Sequence, residues 1–93
     1  MIKATTTNGF EFKADPEKFH TMKVLRRVGK INQETSIEEI ITTMEMILGE
    51  DQTDALCDFC DEIATKEKYA DKIFGEEIGS IFGILSKEPE TKN

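Results

Sequence analysis

Between residues 36 and 85, apolar side chains recur at helical spacing through three segments. Ile37, Ile40, Ile41, Met44, Ile47 and Leu48 make one face; Leu56, Phe59, Cys60 and Ile63 a second; Phe74, Ile78, Ile81, Phe82 and Leu85 a third. Local signals bound these helices. Ser36-Ile37-Glu38-Glu39 reads as a capping box, with Ser36 bonding forward and Glu39 reaching back. Gly49 closes that helix where left-handed geometry is cheapest. A third helix is expected over about residues 51–65, then a charged connector over 65–69, then a last helix over about 70–86. Pro89 ends the pattern, and residues 88–93 read as a mobile polar tail on a domain spanning 1–87.

The N-terminal third follows a different rhythm. Residues 2–7 are rich in Thr, residues 10–13 alternate apolar with charged, and Asn8-Gly9 between them accepts positive φ in a tight turn. A hairpin of residues 3–6 with 10–13 is the expectation. Two strands do not persist alone in water, so Phe10 and Phe12 should lie against a helix or pair with a neighbouring subunit. Asp15-Pro16 then starts a first helix, which is expected to carry Phe19, Met22, Leu25 and Val28 inward and to end at Gly29. The fold class expected is mainly α: a small bundle of about four helices with a short N-terminal β-hairpin.

Ninety-three residues, 38% of them hydrophobic, make one domain, close to the size at which a single core is marginal and a second copy or a partner adds useful stability. No apolar run is long enough for a membrane span, and residues 1–8 lack the basic start and apolar middle of a signal peptide, so a cytoplasmic location is expected. The net charge of -7 hides a split: residues 1–31 carry seven Lys and Arg against three acids, whereas residues 32–93 carry five against sixteen. Phosphate affinity comes chiefly from Lys and Arg, so an acidic chain is a poor nucleic-acid binder and a basic or amphipathic protein is the better-matched partner. The basic residues Lys23, Arg26, Arg27 and Lys30 fall in the later turns of the first helix, where they suit the negative end of its dipole. The acids Asp51, Asp54, Asp58 and Asp61 form a strip three and four apart, where like charges repel by about a few tenths of a kcal/mol per pair.

Little in the chain reads as catalytic chemistry. Cys57 and Cys60 have C-x-x-C spacing, but a redox pair wants its first thiolate at a helix N-terminus, and this pair falls mid-helix among acids. As zinc ligands they need two more, and only His20 is on offer. The adjacent pairs Glu38-Glu39 and Glu76-Glu77 diverge by about 100° on a helix and do not couple as acid and base. Residues 51–62 lack the central glycine of a calcium loop. No cofactor, no metal and no enzymatic activity are expected.

Gly75, Gly79 and Gly83 are the least ordinary feature, lying along one strip of the last helix at a price of about 0.8 to 1 kcal/mol each relative to alanine. Close approach of another helix is the natural return, either from within the fold or from another chain. On the second reading the partner-binding residues are Gly75, Ile78, Gly79, Phe82 and Gly83, with Asp54, Asp58 and Asp61 forming an acidic rim.

Met46-Ile47-Leu48-Gly49-Glu50-Asp51-Gln52, followed by Leu56 and then residues 78–85, resembles the tail assembly chaperones of long-tailed bacteriophages. The Thr-rich opening, Asn8-Gly9 and Phe10-Glu11-Phe12 are similar to that family's short hairpin start. The Asp-Trp pair that often leads the family's first helix is absent. The resemblance implies a non-enzymatic protein that binds the tape measure protein, a very long helical chain, and helps tail-tube subunits assemble around it. It further implies a host-cytoplasmic protein left out of the finished virion, in some relatives made alongside a longer frameshifted product. Two other classes fit the composition: a small acidic regulator that occupies a basic, nucleic-acid-binding protein surface, and a structural virion component.

Overall fold

The computed structural model describes residues 1–87, and the tail expected over 88–93 lies outside them. The described residues are mainly helical, with five helices behind an N-terminal two-stranded antiparallel hairpin. β1 (Ile2–Thr5) pairs with β2 (Glu11–Ala14), Ile2 facing Ala14 and Thr5 facing Glu11. The turn between them is wider than a two-residue one. The Gly9 N–H donates to the Thr6 carbonyl at 3.0 Å, the Thr6 N–H donates to the Phe10 carbonyl at 2.8 Å, and Gly9 alone takes positive φ, 104°. That leaves Thr7-Asn8-Gly9 as a three-residue loop. Phe12 and Ala14 alternate inward with Glu11 and Lys13 outward. The ring of Phe10 meets Phe59 at 5.5 Å, so the hairpin rests on helices of its own chain.

The single helix expected over residues 16–29 is two. α1 (Pro16–Phe19) is one turn, capped by Asp15, whose carboxylate accepts from the Glu17 N–H at 2.9 Å. α2 (Met22–Lys30) restarts at Thr21, whose Oγ1 accepts from the Val24 N–H at 3.2 Å. At the break, His20 Nε2–H donates to the Leu85 carbonyl at 3.0 Å, tying the joint to the last helix. The restart rotates α2 about its axis. Val24 becomes buried, Leu25 and Val28 are half-buried, and Met22, expected in the core, is 69% exposed.

α3 (Ile37–Leu48) begins at Ser36, whose Oγ accepts from the Glu39 N–H at 3.2 Å; the return contact runs from the Ser36 hydroxyl to the Glu39 carboxylate at 3.4 Å rather than to the backbone. Gly49 alone separates α3 from α4 (Glu50–Ile63). It sits at φ 87° and ψ 163°, so its conformation is not the left-handed helical one expected but an extended mirror-image form. Its carbonyl accepts from both the N–H and the Oγ1 of Thr53, at 3.2 and 2.8 Å. The Gln52 side chain, one turn into α4, takes the Lys13 N–H at 2.7 Å and donates to the Lys13 carbonyl at 2.6 Å.

α5 (Ala70–Lys87) closes the bundle. Its inward stripe of Ile73, Phe74, Ile78, Ile81 and Leu85 meets Met44, Ile47, Leu56, Cys60, Phe12 and Phe19 in one core. Ile37 and Ile63, read as facing inward, are 48% and 37% exposed; each is the terminal residue of its helix, where neighbouring elements cover it only in part. Among the described residues no helix is long and apolar enough to cross a membrane.

Candidate protein-binding surface

The last helix is held against the hairpin loop on one flank. Ser80 Oγ accepts from the Thr7 N–H at 3.0 Å, and the Glu76 carboxylate accepts from Asn8 Nδ2 at 3.2 Å while pairing with Lys68 Nζ at 2.9 Å. The hydrogen bond from Lys68, then the one from Asn8, holds the Glu76 carboxyl below its ordinary value. Phe82, half-buried on the opposite flank, packs on Phe19 at 5.8 Å.

These two attachments leave the outer face of α5 uncovered. Gly75, Gly79 and Gly83 are all exposed, and a Cβ built at any of the three would meet nothing within 4 Å. No element of the described fold uses the space. Ile78, grouped with them from its spacing, points the other way and is buried in the core, because one step along a helix turns the side chain by about 100°.

A second open feature lies where α3, α4 and α5 converge. Ile37 and Ile41 of α3, Cys57 and Cys60 of α4, and Ala70 and Phe74 of α5 line an apolar groove of about 150 Å³, bounded by Asp61 and Asp71. Burial, and after it Asp54, Asp58, Asp61 and Glu45, push the Cys57 thiol up from its ordinary value. Of the three aspartates of the expected rim, all exposed, Asp61 lines the groove, while Asp54 and Asp58 act on Cys57 from the same helix without lining it. Cys60 is pushed up to about 11, by burial first and then by Glu77, Cys57 and Asp61. Both cysteines are free and stay protonated near neutral pH, as inert apolar fillers do.

Glu77 was not legible as a special residue, since Glu76-Glu77 reads as a solvated pair. Glu77 is instead fully buried, and neither carboxylate oxygen has a hydrogen-bond partner. Ala70, Phe74 and Glu77 share one stripe of α5 at helical spacing, and Glu77 acts electrostatically on Cys60. Glu77 thus follows Phe74 of the lining by one helical turn without lining the groove itself.

The basic residues occupy another region. Lys23, Arg26, Arg27 and Lys30 line a shallow depression on α2, where Arg27 Nε–H donates to Thr43 Oγ1 of α3 at 3.1 Å. α2 and α4 each pack against α3, and among the described residues no ion pair joins the cations of α2 to the aspartates of α4. Among the described residues, no group of three or more His, Cys, Asp or Glu is placed to hold a metal ion. No protein family, curated protein or solved structure matches the chain.

Proposed function

We propose that the chain is a non-enzymatic assembly chaperone of the long-tailed phage type. It binds the tape measure protein, keeps that long helical client soluble in the host cytoplasm, assists assembly of the tail tube around it, and is left out of the mature virion. The observation that carries the reading is the empty strip along α5. Three glycines inside an 18-residue helix forgo about 2 to 3 kcal/mol of intrinsic helix stability, and no part of the described fold occupies the space they leave. A helix backbone from another chain can approach closely along such a strip, and repeated engagement of several copies along one client strengthens a weak single contact.

The test is co-expression with the tape measure protein encoded in the same genome, followed by size-exclusion chromatography with light scattering. A client soluble only in the presence of the chain, co-eluting with several copies, supports the reading; a client soluble without it overturns it. Gly79→Leu sharpens the result. Because nothing surrounds Gly79, the variant should fold and melt higher, by about 0.8 kcal/mol of helix propensity, while losing the client. A variant that still captures the client places docking elsewhere. The exposed Asp54, Asp58 and Asp61 support a second reading, an acidic regulator of a basic, nucleic-acid-binding protein. Steeply salt-dependent binding to a structured basic partner would favour it over the chaperone.

A further inference from the structure

We propose that the groove between α3, α4 and α5 is a docking site for an amphipathic helix whose apolar face is flanked by lysine or arginine. This goes beyond the reading above, which concerns the outer face of α5, and does not depend on it. Three observations carry it. The first is shape and polarity: six of the eight lining residues are apolar or thiol, and Ile37 at the mouth leaves nearly half of its surface in water. A helix laid along the groove would cover that surface by the helix-in-groove mode.

The second is the sign of the charge. Both polar residues in the lining, Asp61 and Asp71, are acidic, and Asp54, Asp58 and Glu45 add to the same negative field at Cys57. Among the described residues no lysine or arginine lines the groove. An apolar helix without cations would lose the attraction of these carboxylates, and one with acidic flanks would be repelled. The third is Glu77. A buried carboxylate with neither oxygen bonded is costly, and this one, one helical turn from Phe74 of the lining, adds to the negative field felt by Cys60.

The probe is a fluorescein-labelled helical peptide of about 18 residues, with leucines on one face and lysines flanking them, compared with a peptide in which every lysine is replaced by glutamate. Each is titrated with the full chain and followed by fluorescence anisotropy. The lysine peptide should bind at least about tenfold more tightly than the glutamate peptide. Ile37→Gln changes no charge and sits at the exposed start of α3, so the fold should survive it, as circular dichroism would verify. It should weaken the lysine peptide by about fivefold. The double change Asp61→Asn and Asp71→Asn should weaken it and flatten its salt dependence.

Equal binding of the two peptides, or binding of neither, would overturn the proposal. So would a lysine peptide that binds Ile37→Gln as well as the unaltered chain, because attraction to acidic surface alone would then account for it. Gly79→Leu should leave peptide binding unchanged, and that separates a failure here from a failure of the chaperone reading.

Discussion

Gly49 and Glu77 show what single positions do in a fold with little stability to spare. At Gly49 the φ of 87° with ψ of 163° belongs to a region that side chains avoid, while the space around it is empty. The requirement is thus purely one of backbone. Gly49→Ala should lower unfolding stability by about 1–3 kcal/mol in urea denaturation, whereas an alanine at Gly79, in helical geometry, should raise it. Glu77 works in the opposite direction: it is an unpaired carboxylate in an apolar interior, and removing it relieves a penalty. Glu77→Met, which keeps the volume and adds no polar group, should stabilise by about 1–3 kcal/mol in thermal melts. A loss of stability would instead mean that Glu77 has a partner in solution.

At the scale of elements, the parts legible in the sequence were those set by neighbouring residues. Ser36 with Glu39, Asp15 with Pro16, and Gly49 each announce a helix end through local bonding or φ, and each stands at one. The break at Thr21 gave no such warning. Met22, Leu25 and Val28 continue the spacing of Phe19, which masks the Thr21 cap, and the break is held by the distant carbonyl of Leu85, reached by His20. The groove was illegible for the same reason, since its lining comes from three helices whose relative placement no local pattern encodes. Glycines could be assigned to one strip, but whether that strip faced inward or outward depended on tertiary packing. The hairpin is joined to α5 through Glu76, and this joint should respond to pH. Its carboxyl is lower in the folded chain than in the unfolded one, so the contact contributes above the ordinary value of 4.5 and is lost as pH falls through the lowered one. Amide shifts of Thr7, Asn8 and Ser80, followed by NMR from about pH 6 to about pH 3, should move together as the Asn8 and Lys68 bonds to Glu76 let go.

The whole molecule is a slightly elongated body, 45 × 26 × 20 Å, with a radius of gyration of 12.9 Å against about 12 Å for a compact chain of this length. Its charge is divided across that body. Cations collect on α2, carboxylates collect on α4, and α3 stands between them. Among the described residues no ion pair relieves the repulsion along Asp51, Asp54, Asp58 and Asp61. Raising sodium chloride from about 0.02 M to about 0.5 M should shift the melting temperature upward by about 2–5 °C, as screening removes about 1 kcal/mol of like-charge strain. A flat response would mean that the acids are neutralised in solution by something the fold does not show.

Gln52 has a consequence for what the hairpin can recruit. By binding both the N–H and the carbonyl of Lys13, its amide occupies the rung that an incoming strand would need on that side of β2. One rung of that margin is thereby closed by a side chain from a helix. In the antiparallel register Lys3 faces Lys13 with its backbone turned the other way, which leaves β1 as the margin where another strand can join. Sheet growth between copies would then favour pairing of β1 with β1, since on β2 an incoming strand would have to displace Gln52 from Lys13.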